Sequence, residues 1–428
     1  MSGSGFDNPS VHCADLKELV LSMRQQPDNA EGGAIMASGP ALDQLLDDLA
    51  GGAGSAGAVQ LLMNMREAFV RALLWDLAER AQLPPPVAEA WALLCELDEK
   101  APAAVRQGLQ QPWLRLWLLS HQPDTDPPPD LGRLAALAGA AAVRAGTDAR
   151  LWVPVRDGVV HLPGLGSAVT GPAPGGATLS VTPAGFTVVA SGQAPVAVSW
   201  LEDRPAAGPS WLPARHAGPA GWRVLLDDLD PGRDCHGWAV TGRLGDADVA
   251  AWDGRLSEAW TVLAEQAAEY LPALRAGVRA VVPLRADPGG ALRSATHRDA
   301  FAAVGLAEAG GAQTAVLLVH ELQHVKLGAV FDVCDLFDPD DRTTVVVPWR
   351  RDPRPLEGAL HGLYAHLAIA DLWRRRPGPE ASANFDRYRA WVAAAAETLA
   401  RTATLTREGA RFVAGVRTTL DGWPPRTT

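Results

Sequence analysis

Apolar positions recur every three or four residues over 42–49, 59–82 and 87–97, which predicts amphipathic helices. The Gly/Ala run at 51–58 and Leu83-Pro84-Pro85-Pro86 punctuate them. The segment 122–129 (QPDTDPPP) reads as a linker, and 131–144 as one more Ala-rich helix. From residue 151 the texture changes to short β-branched runs split by Asp-Gly, Ala-Gly and Ser-Gly, which predict a small, mostly antiparallel β region over 151–225. Helical spacing returns over 247–276, followed by a short strand at 280–284. Residues 314–331 (TAVLLVHELQHVKLGAVF) carry Leu318, Leu322, Val325 and Ala329 at helical period, with an apolar front half, and predict a buried helix. A further helix begins near Pro355, with Leu356, Leu360, Leu363 and Leu367 as its core stripe and Arg374 to Arg376 at its end. The expected fold class is therefore α+β and mainly helical. It comprises a helical region over 1–150, a small antiparallel β region over 151–225 and a helical metal-binding domain over 226–428.

Composition narrows the function. At 47% hydrophobic and 20% charged residues, the chain is globular in character. A net charge of −11 argues against non-specific nucleic-acid binding. Cys13, Cys95, Cys235 and Cys334 are far apart with no C-x-x-C, which fits reduced thiols rather than a disulfide frame or zinc knuckle. No basic stretch precedes an apolar run at the N-terminus, and no run approaches a membrane span. The expected location is cytoplasmic, with no membrane partner.

The candidate chemistry lies in the buried helix. His320-Glu321-Leu322-Gln323-His324 is an H-E-x-x-H. Histidines four apart on a helix sit one turn above each other, about 5–6 Å between Cβ atoms, so both rings can reach one divalent ion. Two histidines and a glutamate on a buried helix need partners, because unpaired buried polar groups are costly. The downstream helix offers Glu357, His361 and His366 as a third ligand. His361 and His366 lie roughly 140° apart around it, so they do not easily share an ion. His361 neighbours the leucine stripe and is the preferred ligand. The acidic runs read more simply as solvated turns. Asp227, Asp228, Asp230, Asp234 and His236 fit a loop with Asx turns, and Asp332 to Asp341 do not have EF-hand spacing.

The paired motifs H-E-L-Q-H-V-K-L-G-A and P-W-R-R-D-P-R-P-L-E-G-A-L-H-G-L-Y-A-H, with H-L-P-G-L-G at 161–166 and L-D-D-L-D-P-G-R-D at 226–234, carry a resemblance. Over residues 151–373 the chain resembles the HExxH-type peptide β-hydroxylases, which depend on iron and 2-oxoglutarate and occur alone or fused to radical-SAM peptide maturases. The resemblance implies an iron(II) dioxygenase acting on a ribosomally made precursor peptide, with dioxygen as cosubstrate. His320, His324 and His361 would then hold iron(II). That set departs from the usual two His and one carboxylate, which Glu357 would restore. Arg354 or Arg350 would grip the distal carboxylate of 2-oxoglutarate. Ser294 and Thr296 would offer hydroxyl contacts, and Glu321 would orient the site or add a ligand. The rival enzyme is a zinc peptidase using His320, His324 and Glu357, with Glu321 as general base. A third class is a peptide-binding scaffold around a structural metal.

Overall fold

The computed structural model describes residues 39–120, 130–201, 204–205 and 208–423. Cys13 and the expected linker at 122–129 lie outside the described residues.

Among the described residues six helices come first: α1 Pro40–Ala50, α2 Ala56–Arg80, α3 Pro85–Lys100, α4 Pro102–Leu109, α5 Leu114–Ser120 and α6 Gly132–Ala145. Prolines open α1, α3 and α4, where a missing N–H costs nothing. Ser55 caps α2 by accepting from the Ala58 N–H. The β region follows. Strands β1 Ala149–Val153, β4 Ala177–Thr182, β5 Gly185–Ala190, β6 Val196–Leu201 and β7 Arg204–Pro205 form one antiparallel sheet in the order β1-β4-β5-β6-β7. Strands β2 Val159–Leu162, β3 Gly166–Val169 and β8 Trp211–Pro213 form a second. The expected antiparallel β region is present, and the class is α+β with helix predominant.

The third sheet joins the β region to the part that carries the chemistry. Its order is β12-β13-β11-β10-β9, from β9 Arg215–Ala217, β10 Val224–Leu226, β11 Ala280–Leu284, β12 Ser294–Ala295 and β13 Ala303–Ala307. Strands β10, β11 and β13 run parallel, joined by crossovers, the first of which contains α7 Asp246–Gln266 and α8 Tyr270–Gly277. Every residue of β11 and β13 is buried, as expected of parallel strands covered on both faces.

After β13 the chain enters α9 Gly311–Val330, then a short pair β14 Thr344–Val345 and β15 Arg354–Pro355, then α10 Leu356–Arg375, α11 Pro379–Thr402 and α12 Arg407–Asp421. Helix α9 packs against α7 and α10, and α10 against α11. At Gly311 a Cβ would lie 2.3 Å from the Glu258 side chain, so glycine allows α9 to start close against α7. Leu318, Leu322, Leu356, Leu360, Leu363 and Leu367 are all at most 1% exposed and seal the α9–α10 seam.

Helices α9 and α10 are also tied to the α1–α2 turn. Gln323 Nε2 donates to the Gly52 carbonyl at 2.9 Å, and the fully buried Lys326 donates to Gly52 and Ala53 carbonyls at 2.7 and 2.9 Å. Tyr364 is buried and donates from its hydroxyl to the Leu49 carbonyl at 2.7 Å. Burial drives the Lys326 ammonium well below the usual lysine range. Among the described residues no helix is long and apolar enough to cross a membrane, and Cys235 and Cys334 are free thiols.

Candidate metal centre

Two helices supply the imidazoles. His320 and His324, one turn apart on α9, bring their Nε2 atoms to 3.0 Å. His361 on α10 brings its Nδ1 to 3.0 Å from the Nδ1 of His324. His324 is therefore the middle ring, with each of its nitrogens facing another histidine. The sequence-predicted ligands do come together. They do not converge, however: His361 meets the far nitrogen of His324, and its own Nε2 faces Glu357 Oε1 at 3.9 Å. Among the described residues no group of three or more His, Cys, Asp or Glu side chains is arranged, as it stands, to hold a metal ion.

The donor chemistry nevertheless fits a divalent transition ion. Burial, followed by the neighbouring His324, pushes His320 down to about 4, and burial lowers His324 and His361 as well. All three rings are thus neutral near pH 7, the state a metal takes. Two nitrogens about 2.1 Å from one ion are about 3.0 Å apart at a right angle and about 3.4 Å apart at the tetrahedral angle. The His320–His324 spacing matches the former. Bringing in His361 requires its ring to swing about its own side-chain torsions.

The carboxylates have separate settings. Glu321 is 2% exposed and accepts from the Thr296 hydroxyl at 2.6 Å, while its other oxygen is 3.9 Å from His320 Nε2. Thr296 follows strand β12, and its hydroxyl is directed at Glu321. Glu357 stands at the open rim, 40% exposed and 3.6 Å from Arg298 Nη1.

Sequence reasoning missed Arg298. It sits under the Phe331 ring, which touches the His361 ring. Its Nη2 is 3.7 Å from Asp332 Oδ1. Of the arginines singled out beforehand, Arg354 lies against Gly358 in the first turn of α10 and is 3.7 Å from Asp352, and Arg350 is exposed. His366 is not beside His361. It donates from Nδ1 to the Gly362 carbonyl at 2.6 Å and lies in an aromatic box of Trp349, Tyr388 and Trp391. Trp349 packs so closely over α10 that a Cβ at Gly362 would fall 2.4 Å from its ring.

Two expectations are corrected. The 227–236 segment is not a solvated loop: Asp227, Asp228, Asp230 and His236 are at most 6% exposed. The Asx turns are present, with Asp227 Oδ1 accepting from the Leu229 and Asp230 N–H groups. Distant partners make the burial tolerable. The Trp113 indole donates to Asp227 at 2.8 Å, Arg215 and Arg243 pair with Asp228, and His161 lies 3.0 Å from Asp230. Burial alone would raise Asp230, but His161 and Arg133 hold it at about 2. His161 also meets the Ser167 hydroxyl at 2.9 Å. This Ser–His–Asp line is a buried tie between β2, β3 and the loop, with Ser167 only 2% exposed. The second correction concerns Asp332, expected in a solvated acidic turn. It is 5% exposed, bound by Arg66 at 3.1 Å and by Arg115 at 2.9 Å. Asp338 and Asp340 are exposed as expected.

His236 gives a pH dependence that can be measured. Burial, then His297, pushes it down to about 4. It is neutral when folded, whereas the unfolded ring takes up a proton below about 6.5. Stability is therefore lost as pH falls from about 6.5 to about 4, by on the order of 2 kcal/mol from this residue. Urea titrations across that range should show a shallower decline for His236→Gln; an unchanged slope would remove His236 as a source.

No protein-family model matches the chain, and no curated protein is significantly similar to it.

Proposed function

We propose that this chain is an iron(II)- and 2-oxoglutarate-dependent peptide hydroxylase of the HExxH type, acting in the cytoplasm on a ribosomally synthesised precursor peptide, at a Cβ position. The observation that carries the reading is the contact of three neutral imidazoles from two helices, with an arginine at their rim. Iron bound there with 2-oxoglutarate would supply the oxidising power for C–H hydroxylation, one oxygen atom of dioxygen entering the peptide and the other entering succinate as 2-oxoglutarate loses carbon dioxide.

The chain's own residues have distinct tasks in this reading. His320 and His324 present two nitrogens at a right-angle spacing, and His361 is the third donor. Glu321, held by Thr296, has its other oxygen 3.9 Å from His320 Nε2, on the donor side of that ring. Arg298 is half-buried, borders Glu357 and His361, and holds the distal carboxylate of the cosubstrate; Arg354 is next and Arg350 last. The zinc-peptidase reading has Glu357 at the rim in its favour. In either reading one Glu321 oxygen is held by Thr296 and the other lies 3.9 Å from His320 Nε2.

The test uses purified protein loaded with iron(II) under nitrogen, then given 2-oxoglutarate, air and peptides encoded beside its gene. Succinate and a peptide heavier by one oxygen atom are expected. Cleaved peptide from zinc-loaded protein, with no oxygen requirement, would replace this reading with the peptidase. Within it, Arg298→Ala should raise the 2-oxoglutarate concentration for half-maximal turnover by at least about ten-fold with metal content unchanged. An effect confined to Arg354→Ala would move the assignment to that residue.

A further inference from the structure

A concavity of about 1140 Å³ is lined by none of the residues of α9 or α10. Its walls come from α4, α6, the β2–β3 turn, β9, β10, α8 and the start of β11. Five arginines line it (Arg144, Arg215, Arg223, Arg275 and Arg279), and no aspartate or glutamate does. That is notable in a chain of net charge −11.

Two of the five are neutralised nearby: Arg215 pairs with Asp228 and Asp246, and Arg223 with Asp253. The hydrogen bonds of the other three go to carbonyl oxygens, and Arg275 and Arg279 also lie over the Trp260 and Phe301 rings. Arg144 donates to Pro163, Arg275 to Gly221 at 2.8 Å, and Arg279 to the Gln110 side chain. Among the described residues none of these three is in an ion pair. Arg144 Nη1 is buried with no hydrogen-bond partner at all. A buried guanidinium lacking an anion is an expensive arrangement, and a ligand carboxylate would relieve it. Burial accordingly pushes Arg144 down to about 10.

We propose that this groove binds an acidic, extended segment of the peptide substrate, its carboxylates meeting Arg144, Arg275 and Arg279 at a distance from the imidazoles. Small-molecule pockets run roughly 300–1,000 Å³, and this groove exceeds them. Its free cations come from three separate elements, which suits several carboxylates along a chain better than one small anion. Trp200 in the wall offers a surface for an apolar residue between the acids. Assigning the segment to the substrate rests on the hydroxylase reading; the preference of the groove for acidic chain does not.

The probe is a dye-labelled glutamate-rich peptide, titrated with full-length protein and followed by fluorescence anisotropy, with and without iron. Binding should weaken steeply with salt and be absent for the same peptide with glutamine in place of glutamate. Arg275→Ala should weaken it at least about ten-fold. Gln107→Glu, on the exposed wall, should weaken it comparably without touching the core. Equal binding of acidic and neutral peptides, parent-like binding by both variants, or tighter binding of a single-stranded oligonucleotide of equal charge would each overturn the proposal. The two readings fail separately. Acidic-peptide binding without succinate formation leaves the groove and removes the oxygenase. Succinate formation with an unchanged KM after the substrate's acids are replaced does the reverse.

Discussion

His324→Ala is expected to leave the protein without bound iron and to reduce turnover by more than about 100-fold. The magnitude follows from its position. His324 is the only ring that touches both of the others, at 3.0 Å on each side. Its removal leaves His320 alone on α9 and His361 without its neighbour, so no two nitrogens remain at ligand spacing. Removing a group that merely supports a ligand costs about 10–100-fold in affinity or activity, and removing the shared ligand should cost more. Metal content by elemental analysis after desalting, read beside the thermal midpoint, separates lost coordination from lost fold. A folded variant that retains stoichiometric iron would end the assignment of this centre.

Asp332→Ala is expected to cost about 3–5 kcal/mol of stability, the largest effect of any single change outside the imidazoles. Arg66 and Arg115 are each 1% exposed; Asp332 accepts from Arg115 and is ion-paired with Arg66 at 3.1 Å. Their attraction outweighs the burial that would otherwise raise the Asp332 carboxyl, and it lies below its ordinary range. Without it, two guanidiniums remain buried with only Asp299, 3.2 Å from Arg115, as a nearby carboxylate. Breaking a buried ion pair from one side is costly because of the charge left behind. Guanidinium denaturation measures the loss directly. A change under about 1 kcal/mol would mean that Asp299 and backbone carbonyls suffice for both arginines. Arg298 also borders Asp332, so the variant should disturb the rim of the metal centre as well.

Local pattern made much of this legible. The strand at 280–284 is β11 residue for residue, and the helix expected over 314–331 is α9 within a few positions. The leucine stripe of α10 and the spacing of His320 and His324 follow from helical period alone. What could not be read depends on partners far along the chain. A run such as Leu-Asp-Asp-Leu-Asp looks solvated, because the sequence does not show that Trp113, His161, Arg215 and Arg243 will surround it. Arg298 was passed over for the same reason: nothing nearby in sequence marks it, and its relevance comes from Phe331 and Glu357 arriving from other helices. The proline-flanked arginines drew notice through a motif, yet Arg350 lies on the surface. Helical geometry also allowed His361 to be preferred over His366, but it could not give the ring torsion that presents Nδ1 rather than Nε2 to His324.

The tether between α9 and the Gly52–Ala53 turn bears on how this chain can change over time. An ammonium at position 326 with no water around it is tolerable only while those two carbonyls stay where they are. A descendant that sheds α1 and α2 must therefore also exchange Lys326, and Gln323 with it, for something apolar. Shortened homologues that keep a lysine there would show that the opening helices are dispensable to the fold around the histidines.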